Sequence, residues 1–339
     1  MTTYKTTAMW RLLTAVVIAA ASLLALPSCE SLYEDLDPCP QGLRVRFVYD
    51  YNMEFANAFP SQVDCLTVFL YDEEGRWLAT RTDAIPKQLA DENWRMDFDL
   101  EPGRYTLLVY GGMQCKDSSF SFTSDPAEIP LRDVRVRLDS DCLTSPVGTQ
   151  LHPLFYGRLD AEVKEGGTDY NDVTVKMMKD TNNLRVLLQQ TTGEKINEAD
   201  FDFCVVDNNT LMGWDNDVLP SPTVNYLPWA RGDASPGQLP DYSEASVAWA
   251  EMSFPRLVTG LQPRLIVTNR LNGETTIDIP LNNYLLLLKS EAYSKMGSQE
   301  FLDRESRWNM LFFLDGNMRW IKTTIVINDW IVRINDIES

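Results

Sequence analysis

The 339-residue chain has one histidine, His152. Metal sites, nucleophilic triads and most general acid–base pairs rely on imidazole, so a histidine cluster is excluded. No Cys-x-x-Cys pair and no Cys/His spacing suited to zinc occurs, and there is neither a Gly-rich phosphate loop nor a G-x-S-x-G elbow. The sequence therefore gives no sign of an enzyme, a cofactor or a metal. Positive charge is also scarce, with 30 Lys and Arg against 49 Asp and Glu and a net charge of −19. A surface this acidic repels phosphate backbones, which excludes nucleic acid as a partner. Long apolar runs are missing too. The longest, Leu12–Leu26, holds about 15 residues broken by Thr14 and Ser22, and a bilayer span needs roughly 20.

What is present is a folding chain, 44% apolar and 23% charged, with 9 Trp, 13 Tyr and 14 Phe. It begins with Lys5 and Arg11, continues into the short apolar run and ends that run at Leu26-Pro27-Ser28-Cys29. Basic start, short apolar stretch and small residue make a signal peptide. The ending resembles the lipobox of bacterial lipoproteins, with Leu three residues before the Cys and a small residue just before it. Pro27 departs from the small residue usual at its position. The resemblance implies a signal peptide over 1–28 and acylation of Cys29, which becomes the first residue of the mature chain. Two or three acyl chains hold a protein stably on a membrane. Glu30, Glu34, Asp35 and Asp37 follow at once, so 29–38 reads as a solvated acidic tether. An acidic segment at this place resembles the surface-export signal of Bacteroidetes lipoproteins. The expected location is the outer membrane, lipid-anchored and surface-exposed.

Five cysteines remain, in a compartment that permits disulfides. Cys65 in VDCLTVFLY and Cys204 in FDFCVVD read as buried strand residues acting as small hydrophobes. Cys39, Cys115 and Cys142 lie beside turns or segment ends and are the disulfide candidates, with Cys39 expected to pair with either of the others.

Strand signals dominate the rest. LRVRFVYD, WRMDFDL and VRVRL alternate with the period of two of a sheet with one wet face, while VDCLTVFLY and RYTLLVYGG are apolar on both faces and read as central strands. DEEGR and EPGRY supply turns between them. Leu143–Pro153 has no periodicity and reads as a linker. The polar region Asn208–Glu244 reads as a surface excursion with a short strand or two, and Leu281–Ser306 as the one helical region. Gly316 and Asn317 mark a hairpin near the end. The expected architecture is all-β: two β-sandwich domains in series, 39–148 and 149–339, with a short helical segment in the second.

In order and spacing, the lipobox, DPCP, LRVRFVYDYNMEF, FPSQVDCLTVFLYDEEGRWL, LEPGRYTLLVYGG, LFYGRL and the closing IVINDW resemble the fimbrial subunit family of Bacteroidales, in particular its FimB-type anchor lipoproteins of type V fimbriae. The resemblance spans Cys29 to Trp330. It implies transthyretin-like sandwiches and a non-catalytic anchor at the base of a fimbria that seats the shaft and influences its length, with pilin subunits and outer-membrane lipid as partners. In polymerising relatives a protease trims the first segment after Arg or Lys, and a neighbour's strand fills the groove by β-augmentation. For an anchor, Arg44 and Arg46 are expected to stay folded away and uncut.

The alternative is a surface glycan-binding lipoprotein in which Trp214, Trp229 and Tyr242 form a flat exposed platform. Arg231-Gly232-Asp233 matches an integrin-binding tripeptide but reads as a chance occurrence in a loop, so a host receptor has no support beyond it. Asp215 and Asp217 lack the twelve-residue pattern of a calcium loop. His152, beside Pro153, reads as a linker residue.

Overall fold

The computed structural model describes residues 41–339 except 114–116, 145–146, 166–168, 239–243, 288, 290–292, 328–329 and 334–339. In chain order the strands are β1 Gly42–Val48, β2 Leu66–Asp72, β3 Trp77–Asp83, β4 Met96–Asp99, β5 Gly103–Gly111, β6 Phe120–Phe122, β7 Arg135–Leu138, β8 Phe155–Val163, β9 Tyr170–Lys179 and β10 Thr181–Gln190. They continue with β11 Phe201–Asp207, β12 Leu211–Gly213, β13 Val224–Tyr226, β14 Ala230–Gln238, β15 Glu244–Pro255, β16 Arg264–Asn269, β17 Thr275–Pro280, β18 Arg307–Leu314, β19 Trp320–Ile327 and β20 Trp330–Arg333. Helices are short: α1 Phe59–Gln62, α2 Pro86–Leu89, α3 Asp141–Thr144, α4 Leu281–Leu285 and α5 Ser298–Arg304.

A seven-stranded sheet, β3-β2-β5-β8-β9-β1-β4, wraps one apolar core. The alternation explains how. Leu43, Val45 and Phe47 of β1, Leu66, Val68 and Leu70 of β2, and Leu107 and Val109 of β5 all enter that core. The intervening residues of β2 and β5, among them Phe69, Tyr71, Leu108 and Tyr110, enter a second core on the opposite face. These two strands are apolar on both faces because each face is covered.

The second core is continuous from the back of β2 and β5, through the three-stranded sheet β12-β7-β6, into the sandwich of the six-stranded sheet β14-β15-β10-β18-β19-β20 and the four-stranded sheet β13-β11-β16-β17. Leu184, Val186 and Leu188 of β10 and Trp308, Met310 and Phe312 of β18 face Phe203, Val205, Leu265 and Val267 across it. Each fully buried side chain of this size contributes about 1.5–3 kcal/mol.

The sheets do not divide at residue 149. β8 and β9 belong to the first sheet, and the chain crosses to the second at Asp180, between β9 and β10. The described part of the expected linker packs into the structure, with Leu151 buried and Gly148 donating its N–H to Pro228 O at 2.9 Å. The excursion over 208–244 is more regular than its polarity suggests, because it carries β12, β13 and β14. The hairpin at Gly316 and Asn317 joins β18 to β19 as expected. Among the described residues the helical region shows the short helices α4 and α5.

Candidate assembly site: the first strand, the sheet edges and the junction cleft

β1 lies between two neighbours in the seven-stranded sheet, β9 and β4. It runs parallel to β9 over all seven of its residues and antiparallel to β4 over Gly42–Val45. Leu43 and Val45 are fully buried and Phe47 stacks between Phe59 and Trp94 at 5.9 and 5.7 Å. Arg44 makes a two-pronged ion pair with Asp97 of β4, Nε to Oδ1 at 3.1 Å and Nη2 to Oδ2 at 3.2 Å, and lies over the Tyr170 ring at 5.0 Å. Gly42 has φ +149, and a Cβ there would stand 1.9 Å from Phe98 O, so only glycine lets β1 start this close to β4. Arg46 is exposed and pairs with Thr174 of β9, one residue beyond the end of the β4 pairing, so it is less enclosed than Arg44.

The C-terminal β20 closes its own sheet, antiparallel to β19 from Ile327↔Trp330 to Thr324↔Arg333. β14, at the opposite edge of that sheet, has a register shift between Ala234 and Gly237, the kind of irregularity that blunts an edge against unwanted pairing. Arg231-Gly232-Asp233 lies in β14, not in a presented loop. Arg231 pairs with Glu198 and donates to Phe201 O at 2.8 Å, while Asp233 Oδ1 accepts from Glu198 N at 2.6 Å.

At the crossing from β9 to β10 is a buried polar network. Asp180 accepts from Asn216 Nδ2 at 3.0 Å, and Arg256 donates to Asn216 O at 2.6 Å. Arg256 also forks onto Asp303 of α5 at 2.8 and 3.0 Å, and Gln299 donates to Asp303 at 2.9 Å. Asp180 Oδ2 has no hydrogen-bond partner among the described residues. Burial pushes the Asp180 carboxyl up to about 7, against the opposing pull of Arg256 and the Asn216 hydrogen bond. Next to it, burial brings Lys179 down to about 8. Above this network opens a cleft of about 630 Å³ lined by Tyr51, Phe55, Tyr156, Arg158, Lys176 and Asp217 among others.

Cys29, Cys39 and Cys115 lie outside the described residues. Cys142, a disulfide candidate from its place beside a turn, is a free, half-buried thiol pushed up in pKa by burial. Cys65 is not a plain core hydrophobe: it is disulfide-bonded, with Sγ 3.2 Å from Met113 O. Cys204 is a free thiol raised by burial to about 11. His152 Nε2 lies 3.2 Å from Asp64 Oδ1, which ties the segment before β8 to the loop before β2. Trp214 is half-buried beneath Arg158, 4.4 Å from the ring centroid, and Trp229 is half-buried, so neither is a flat exposed face; Tyr242 lies outside the described residues. Among the described residues no group of three or more His, Cys, Asp or Glu could hold a metal ion. No described helix is long and apolar enough to cross a membrane. The sequence reading missed Tyr51, Phe55 and the cleft, because they come together only when the loop after β1 meets α5 and the loop after β12.

Comparison with known proteins gives the architecture a family. Residues 36–336 match the model of the fimbrillin-A associated anchor proteins Mfa1 and Mfa2. A candidate adhesin of Bacteroides thetaiotaomicron is similar in structure with TM-score 0.84 and 49% identity, over 89% of this chain and 100% of that one. A candidate polysaccharide-binding protein of the same species gives TM-score 0.73 at 27% identity, over 87% of this chain and 98% of that one. The fimbrial anchor protein Mfa2 of Porphyromonas gingivalis shares the fold, with TM-score 0.65 at 17% identity over 87% of this chain and 99% of that one. No curated protein sequence matches. The resemblance read from the ordered motifs thus holds at the level of the family, and with it the absence of an enzymatic role. The chain belongs to the Mfa1/Mfa2 family of fimbrillin-associated anchor proteins, non-catalytic proteins of the cell surface.

Proposed function

We propose that the chain is the lipid-tethered base of a fimbria: acylated at Cys29, displayed on the outer membrane by the 29–38 tether, and seating a shaft of pilin subunits through strand-to-strand contacts. The single observation that carries this is β1. A polymerising subunit needs a groove for its neighbour's strand; a first strand paired with β9 and with β4 and packed through Leu43, Val45 and Phe47 supports a subunit whose own chain fills that groove. Such a subunit accepts no donor at that groove and so ends the polymer, which ties the amount of anchor to fimbrial length. Two transthyretin-like sandwiches in series, divided at Asp180 rather than at 148, account for one sheet wrapped on its own core followed by two facing sheets.

The test replaces Cys29 by Ala in a fimbriated strain. Loss of the protein from the membrane fraction, with shed or altered-length fimbriae, is the expected result. Continued membrane attachment with fimbriae of normal length and retention overturns the anchor reading.

A further inference from the structure

The junction cleft is a binding site in its own right, and we infer that it takes a neutral oligosaccharide. The first support is charge. Asp50, Asp215 and Asp217 line it together with Arg158, Lys176, Arg256 and Arg304. Each of these cations already has a carboxylate: Asp160, Asp50, Asp303 and Glu300 respectively. Asp215 and Asp217 have no cation within ion-pair distance among the described residues, and both are exposed. An anionic ligand meets two carboxylates without an ion-pair partner and cations that are each already matched by a carboxylate. A polyol, whose hydroxyls both donate and accept, pairs with groups of either sign.

The second support is the aromatic wall. Arg304 lies over Tyr51 at 4.1 Å and over Phe55 at 4.7 Å, which fixes both rings at the rim. Phe55 is 57% exposed and has φ +53, the left-handed region that a bulky side chain rarely adopts. That conformation is held from below. Asn52 Nδ2 donates to Tyr49 O at 2.9 Å and to Ala56 O at 2.8 Å, and Asn57 Oδ1 accepts from Tyr49 N and Phe59 N at 3.0 and 3.1 Å. A loop so tied spends its hydrogen bonds on presenting an apolar ring to water, an arrangement that stores strain where a ligand is met. An exposed ring beside carboxylates offers a stacking face for the C–H side of a sugar and acceptors for its hydroxyls. The cleft volume, about 630 Å³, falls within the usual range for small-molecule sites.

The inference is independent of the anchor reading. The test screens the purified full chain on an array of neutral and anionic oligosaccharides, and then titrates the strongest neutral binder by calorimetry. Phe55→Asn, which keeps the left-handed backbone, and Asp217→Asn, an exposed change, are each expected to weaken binding at least tenfold while melting within a few degrees of the parent. Arg319→Ala, which does not line the cleft and whose ion pair is with Glu274, is expected to leave affinity unchanged. Binding to anionic sugars alone, to no sugar at all, or with affinity indifferent to both cleft variants overturns the inference.

Discussion

Arg44 of β1 and Asp97 of β4 stand opposite each other in the strand register and close a two-pronged ion pair across it. A half-exposed pair of this kind contributes little stability; its geometry shows instead that the first strand is seated against a fixed neighbour. The energy of the seat lies in the residues on either side. Val45→Asp places a carboxylate in a fully buried site and is expected to destabilise by 3 kcal/mol or more, on the order expected for an unpaired buried charge. Arg46→Ala is expected to leave the urea midpoint almost unmoved. Urea unfolding of the two variants makes the comparison.

The buried junction predicts a pH dependence. Asp180 has its folded pKa raised to about 7, above its ordinary value, so the folded state holds the proton more tightly than the unfolded chain. Its contribution to stability is full below the ordinary carboxylate range and is lost as pH rises toward about 7. Asp180→Asn removes this loss. Relative to the parent, the variant is expected to gain on the order of 1–3 kcal/mol between pH 5 and pH 8. Thermal or urea unfolding at the two pH values measures the difference.

Asp303 is expected to behave differently from Asp180, although both face Arg256. Asp303→Ala leaves the guanidinium buried with half its partners, and breaking a buried pair costs about 3–5 kcal/mol. Urea unfolding of the variant against the parent at pH 5 measures the loss.

Met113 O lies 3.2 Å from Cys65 Sγ, and Cys115 follows Met113 by two residues in the chain. Cys142 and Cys204 are free. A non-reduced peptide map is therefore expected to link Cys65 to Cys115 and to find Cys142 and Cys204 alkylated once the protein is unfolded. A Cys65–Cys39 peptide contradicts the assignment.

The strand sequences announced most of this fold, for a physical reason. Alternation in LRVRFVYD and two-sided hydrophobicity in VDCLTVFLY report directly which faces are covered. The junction is another matter. LFYGRLDAEV and VTVKMM carry nothing to say which of two sheets they join, and that choice rests on the pairing of β9 with β1 over a separation of more than a hundred residues. ARGDASPGQ reads as a loop because Gly, Asp and Pro favour turns, yet pairing with β15 makes it an edge strand. Phe55 was invisible as a rim residue because nothing in YNMEFANAF marks a left-handed phenylalanine; only Arg304, far along the chain, gives it a place.

Mass spectrometry of the mature chain, recovered from the envelope of fimbriated cells together with its bound pilin, tests the central claim most directly. The account predicts an N-terminal peptide that begins at acylated Cys29 and runs uncut through Arg44 and Arg46. A mature chain that begins at Val45 or Phe47, trimmed and without lipid, contradicts it.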